Sequence, residues 1–127
     1  MKKNTIAAIM CIFSACLILI AFTIIADIPE CDLHIIQEVP SNNGTFVAVI
    51  FENGCGATTP SNKHISIYLP SEKFTREDAP PFASMSGKDI PEISWNGDRE
   101  LYVSIPKKSI IYKKEYIKIG ISILYNK

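Results

Sequence analysis

The sequence lacks any excess of positive charge: 13 Lys and Arg meet 13 Asp and Glu, leaving no basic footprint for nucleic acid. It contains no glycine-rich phosphate loop, no dinucleotide fingerprint and no nucleophile-elbow pentapeptide, so the common local signatures of nucleotide binding and serine hydrolysis are missing. Beyond residue 26 no window repeats apolar residues at helical spacing, which excludes a helical bundle. Cations are absent from one long stretch, because no Lys or Arg occurs between Lys3 and Lys63.

What is abundant is concentrated. From Thr5 to Ala26, 19 of 22 residues are apolar, the exceptions being Thr5, Ser14 and Thr23. As a helix rising ~1.5 Å per residue, such a run spans about 33 Å, enough for a bilayer core of about 30 Å. Lys2 and Lys3 precede the run and Asp27, Glu30 and Asp32 follow it. The positive-inside tendency therefore predicts a cytoplasmic N-terminus, a single pass through the inner (cytoplasmic) membrane, and a C-terminal domain that is periplasmic or extracellular. The expected division is an anchor over 1–26 and an exported domain over 27–127. Two alternatives stay open. A cleaved signal peptide usually has a shorter apolar region and small residues at the cut, whereas Ile24-Ile25-Ala26 places a bulky Ile three residues before one. Phe13-Ser14-Ala15-Cys16 approximates a lipobox, which would make Cys16 a lipid anchor, although Leu17 to Ala26 continues apolar.

Cys11 and Cys16 lie inside the apolar run, while Cys31 and Cys55 are the two cysteines of the exported part. In an oxidising compartment two such cysteines most often pair. A Cys31–Cys55 bridge closes a loop of about 25 residues and contributes on the order of 3 kcal/mol. The competing expectation is a reactive thiol at Cys55, flanked by Gly54 and Gly56.

Short β-branched runs separated by turn residues predict a mainly β domain: six to seven strands in a small antiparallel sandwich or curved sheet. Leu33–Val39 and Thr45–Glu52 form a hairpin around Asn43-Gly44, and the second strand is apolar enough to be covered on both faces. Lys63–Leu69 alternates, with Ile65, Ile67 and Leu69 on one face. Pro70–Asp89 is irregular, with Phe82–Met85 as a short edge strand. Glu92–Trp95 and Glu100–Ile105 form a second hairpin about Asn96-Gly97-Asp98, and Ile110–Tyr112 follows. Tyr116–Tyr125 reads as one last strand, because Ile117, Ile119, Ile121 and Ile123 keep strict period 2.

Charge is divided along the chain. Residues 27–62 carry five acids and no Lys or Arg; residues 106–127 carry six Lys and one Glu. The simplest expectation is that these segments pair within one sheet or are solvated; the sharper one is that they steer a charged partner.

Candidate chemistry is sparse. Cys55 with His64 as base has the residue types of a thiol enzyme, provided that no disulfide consumes the thiol. Cys31, His34, Cys55 and His64 have metal-ligand character, but Cys-x2-His followed by Cys-x8-His matches no common zinc spacing, so no metal and no cofactor is expected. Glu77 and Asp78 lie in the proline-rich loop and are expected to be solvated. Gly54, Gly56, Thr58, Thr59 and His64 make up a possible binding loop, whose hydroxyls more simply satisfy loop backbone groups.

Pro40-Ser41-Asn42-Asn43-Gly44-Thr45-Phe46-Val47-Ala48-Val49-Ile50-Phe51, then Cys55-Gly56-Ala57-Thr58-Thr59, then Trp95-Asn96-Gly97-Asp98-Arg99-Glu100-Leu101 occur in that order. The succession resembles a family of small bacterial envelope proteins, commonly lipoproteins or membrane-anchored, with an S-P-D-G…C-G-A-T-T…W-x-x-D-x-x-L pattern. Ser41-Asn42-Asn43-Gly44 departs from S-P-D-G, and Pro60 follows the Thr pair where relatives often carry Gly. The resemblance implies a location and a fold rather than a chemistry, and it adds weight to the Cys31–Cys55 pairing. The expected function is a non-catalytic, membrane-anchored module that binds a protein or an envelope component, in the manner of an immunity protein or inhibitor. The alternative is a thiol-dependent enzyme or redox protein using Cys55.

Overall fold

The computed structural model describes residues 2–26, 32–54 and 62–126. It divides into two compact units, Met1–Glu30 and Cys31–Lys127.

The first unit holds one helix, α1 (Lys2–Ala26). It has no polar face, and every described side chain of Lys2–Ala21 is exposed, Cys11 and Cys16 included. A helix that is apolar all round must find a non-aqueous surrounding. Among the described residues it is the one helix long and apolar enough to cross a membrane, as an anchor or a signal sequence does.

The second unit is mainly β, as the alternation predicts. Its strands are β1 (Asp32–Pro40), β2 (Val47–Gly54), β3 (Asn62–Tyr68), β4 (Ala83–Ser86), β5 (Glu92–Asn96), β6 (Glu100–Ser104), β7 (Ile110–Lys114), β8 (Ile117–Lys118) and β9 (Ile121–Tyr125). One sheet has the order β1-β2-β3-β4-β7 and is antiparallel throughout; the other has the order β5-β6-β9-β8. Ala48, Ile50, Ile65, Ile67, Ala83 and Met85 from the first sheet pack against Ile93, Leu101, Val103, Ile121 and Ile123 from the second. These side chains form the main core of the domain.

As its composition predicts, β2 is covered on both faces. Ala48 and Ile50 enter the main core, whereas Val49 and Phe51 point outward into a second cluster with Phe74 and Ala79. The second cover comes from the irregular segment between β3 and β4, which straps the outer face of the first sheet. Ser66 fastens that strap, its Oγ donating to the carbonyls of Ala79 at 2.6 Å and Pro80 at 3.2 Å.

Four local expectations are corrected. Among the described residues the strands number nine instead of six to seven. Phe82–Met85 is not an edge: β4 lies between β3 and β7, because β7 crosses over to pair with it. Leu69 does not share the burial of Ile65 and Ile67; it lies just beyond the end of β3 and is 39% exposed. Tyr116–Tyr125 is not one strand. The chain reverses at Ile119 (φ 46°) and Gly120 (φ 74°), so Lys118 pairs with Ile121 and Ile117 with Ser122. Two successive positive φ values are what a two-residue hairpin loop of type I′ requires. Ile121 and Ile123 are buried, while Ile117 and Ile119 are 71% and 52% exposed. The detour of the chain through β7 also makes β9 run parallel to β6, with Leu101 opposite Ile123.

Candidate functional site

The outer face of the first sheet gathers the aromatic and ionisable side chains. Register aligns one row across it: Ile35 on β1, Phe51 on β2, His64 on β3, Ser84 on β4 and Lys113 on β7. The His64 ring stacks on Phe51 with centroids 5.2 Å apart, and Phe74 from the strap tilts against Phe51 at 5.1 Å and Tyr68 at 5.3 Å. His64 Nδ1 lies 2.8 Å from the Ser84 hydroxyl. Burial, and then the nearby Arg76 charge, hold the His64 pKa below its ordinary value, so the ring is neutral at pH 7. The Tyr68 hydroxyl donates to Glu38 Oε1 at 2.7 Å; burial and then this carboxylate push its pKa up to about 12. The ring lies against Phe51, and the Ser84 hydroxyl that it meets is buried.

Of the sequence-derived binding loop, Gly54 ends β2 opposite Asp32, and His64 stands on β3 opposite Phe51. Gly56, Thr58 and Thr59 lie outside the described residues, as do Cys31 and Cys55. Each of those cysteines is the chain neighbour of one member of the last described β1–β2 pair, Asp32 and Gly54. His34 shares its row with Glu52 and Lys63, while His64 shares the adjacent row with Phe51. Adjacent rows point to opposite faces of a sheet, so the two histidines do not converge. Among the described residues no three His, Cys, Asp or Glu side chains gather as metal ligands. Asp78 is capped locally, accepting a hydrogen bond from Thr75 Oγ1.

Two contacts had no sequence signal for their pairing, although the residues stand in the quoted motifs. Trp95 Nε1 donates to the Val39 carbonyl at 2.8 Å, and the Asn43 amide donates to Asp98 Oδ1 at 2.7 Å. Arg99 lies over the Phe46 ring, 5.5 Å from its centroid. The first hairpin turn is tied internally as well: the Phe46 amide donates to Ser41 Oγ, and the Thr45 amide donates to Asn43 Oδ1. The Ser-Asn-Asn-Gly and Trp-Asn-Gly-Asp segments thus meet at one end of the sandwich and fasten one sheet to the other.

The opposite character appears along β7 and β8. Ile110, Ile111 and Tyr112 on β7 are 63%, 45% and 61% exposed, and Tyr116 beside β8 is 63% exposed. β7 ends the first sheet and β8 ends the second. Lys113 forms an ion pair with Glu115 at 2.8 Å, which lowers the Glu115 pKa, and Lys114 Nζ sits 4.2 Å from the Tyr125 ring centroid.

No protein-family model, no curated protein and no solved structure matches the chain.

Proposed function

We propose that the chain is a membrane-anchored module whose β domain works outside the cytoplasm as a non-catalytic binding partner for a protein or envelope component. The observation that carries this reading is α1, an apolar helix with all of its described side chains exposed, joined to a β domain that presents large apolar side chains along an unpaired sheet edge. Lys2 and Lys3 before the helix, and Asp27, Glu30 and Asp32 after it, support an outward-facing domain. An immunity- or inhibitor-like role fits the small size of the domain. The link to small bacterial envelope proteins is part of the same proposal, supported by the Trp95 and Asp98 contacts that give its motif residues a common structural task.

Alkaline carbonate extraction and protease accessibility in spheroplasts test the anchor and its orientation; carbonate release, or protection of the domain, overturns them. Affinity capture from detergent-solubilised membranes tests the binding role, which fails if no specific partner, including a second copy of the chain, is retained across several detergents.

A further inference from the structure

Among the described residues the acidic and basic segments do not pair with each other within the sheet. β1, with Asp32 and Glu38, is one edge of the five-stranded sheet, and β7, with Lys113 and Lys114, is the other, with three strands between them. Each edge is unpaired on its outer side among the described residues. Each also exposes large apolar side chains: Leu33 and Ile35 on β1, Ile110 and Ile111 on β7. Exposed strand edges of this kind are templates for further pairing, and proteins usually blunt them with charge. Here the blunting charges have opposite sign at the two ends of one sheet.

We propose that the partner of this surface is a second copy of the chain, with β7 of one copy pairing along β1 of the next. Direction supports this arrangement. An antiparallel sheet of five strands has first and last strands running the same way, so copies in the same orientation meet through a parallel β7–β1 ladder. Asp32, the first described residue of β1, then stands at the same end of every copy. The two symmetric alternatives, β1 on β1 and β7 on β7, bring like charges together and, being antiparallel, turn one copy end for end. In-sheet register sets Ile110 level with Leu33 and Lys114 level with Gln37, next to Glu38. The head-to-tail junction therefore faces Ile110 with Leu33, and Lys113, level with Ile35 on the outer face, lies one same-face step from Glu38. Such a contact is heterologous, and without ring closure it gives open chains.

This inference deepens the binding-module reading by naming its partner, and it is tested apart from that reading. The full-length chain in mild detergent is sized by mass photometry at low and at 0.5 M salt, alongside Lys113→Glu/Lys114→Glu and Asp32→Lys/Glu38→Lys. The wild type is expected to form a ladder of oligomers that shortens with salt. Each double variant alone is expected to associate roughly tenfold or more weakly, because attraction across the Lys113–Glu38 step becomes repulsion. An equimolar mixture of the two variants is expected to regain the ladder, because both of its junctions again join opposite charges; a misfolded variant is not rescued in this way. Monomers at every salt concentration, or a closed dimer indifferent to both charge reversals, overturns the inference. If carbonate extraction still retains the chain and affinity capture yields a different protein, only the second copy as partner is lost and the binding-module reading stands.

Discussion

The two ends of the β domain spend their residues differently. Where the two hairpin turns meet, polar groups are consumed internally: Ser41, Asn43, Asp98 and the Trp95 indole all make hydrogen bonds that close the turn or bridge the sheets. Along β7 and β8 the chain leaves Ile110, Ile111, Tyr112, Tyr116, Ile117 and Ile119 in solvent. Self-satisfied polar contacts make a fastening, whereas exposed apolar side chains beside unpaired strands make a surface whose free energy falls on being covered. The first region holds the fold, and the second is available to something else.

The comparison breaks most sharply by truncation. Phe51→Ala removes a fully buried ring from beneath the strap and is expected to cost about 3–5 kcal/mol, whereas Ile111→Ala on the open edge costs about 0.5 kcal/mol or less. Urea melts of the full chain in detergent measure both, and equal losses would show that the edge is part of the core. Next is the bridge proposed between Cys31 and Cys55. Cys31→Ser and Cys55→Ser should each cost about 2–5 kcal/mol under oxidising conditions, and the double variant no more than either. A silent Cys31→Ser beside a damaging Cys55→Ser would separate the two and return Cys55 to the reactive-thiol alternative. At the fastening, Trp95→Phe leaves the Val39 carbonyl without its indole donor and should cost about 1–2 kcal/mol, read from the same melts.

Ile119 sharpens the contrast from the other side. A β-branched residue in the left-handed region is strained, and Ile119→Asn should raise stability by up to about 1 kcal/mol without loss of structure. A decrease would mean that the Ile119 side chain supports the fold despite its exposure. The smallest expected effect is on pH dependence. The folded pKa of His64 lies below the unfolded one, so the unfolded chain takes up its proton first and stability falls as the pH drops through and below the unfolded value near 6.5. His64→Gln should flatten stability between about pH 7 and pH 5 relative to wild type, by the share that this imidazole contributes. An unchanged slope would assign the dependence to other groups.

Much of this was legible along the chain, and the failures share a cause. The apolar helix, the β class, both early hairpins and the double cover of β2 follow from local patterns: a long apolar run, alternation, Asn-Gly turns, and five successive buried side chains from Val47 to Phe51. Tyr116–Tyr125 misled because period 2 is blind to reversal: Ile117, Ile119, Ile121 and Ile123 alternate perfectly on paper while Gly120 turns the chain back at their centre. Phe82–Met85 misled because being an edge depends on which strand arrives alongside, and β7 comes from far along the chain. Of the candidate site, the residue types of His64, Trp95 and Asp98 were visible, but not their partners Ser84, Val39 and Asn43, which come from elements 20, 56 and 55 residues away.

By itself, then, the sequence determined whatever depends on neighbours in the chain: an apolar helix of membrane-spanning length, strands where β-branched residues alternate, turns where glycine permits positive φ, and a basic tail opposed to an acidic entry. Tertiary structure alone decided which strands are edges, which face of the first sheet the proline-rich strap covers, that His34 and His64 point apart, and that the acidic and basic strands stand at opposite ends of one sheet. The reason is physical. Hydrogen-bonded pairing and burial are relations between distant segments, and a local pattern states a strand's readiness to pair without specifying its partner.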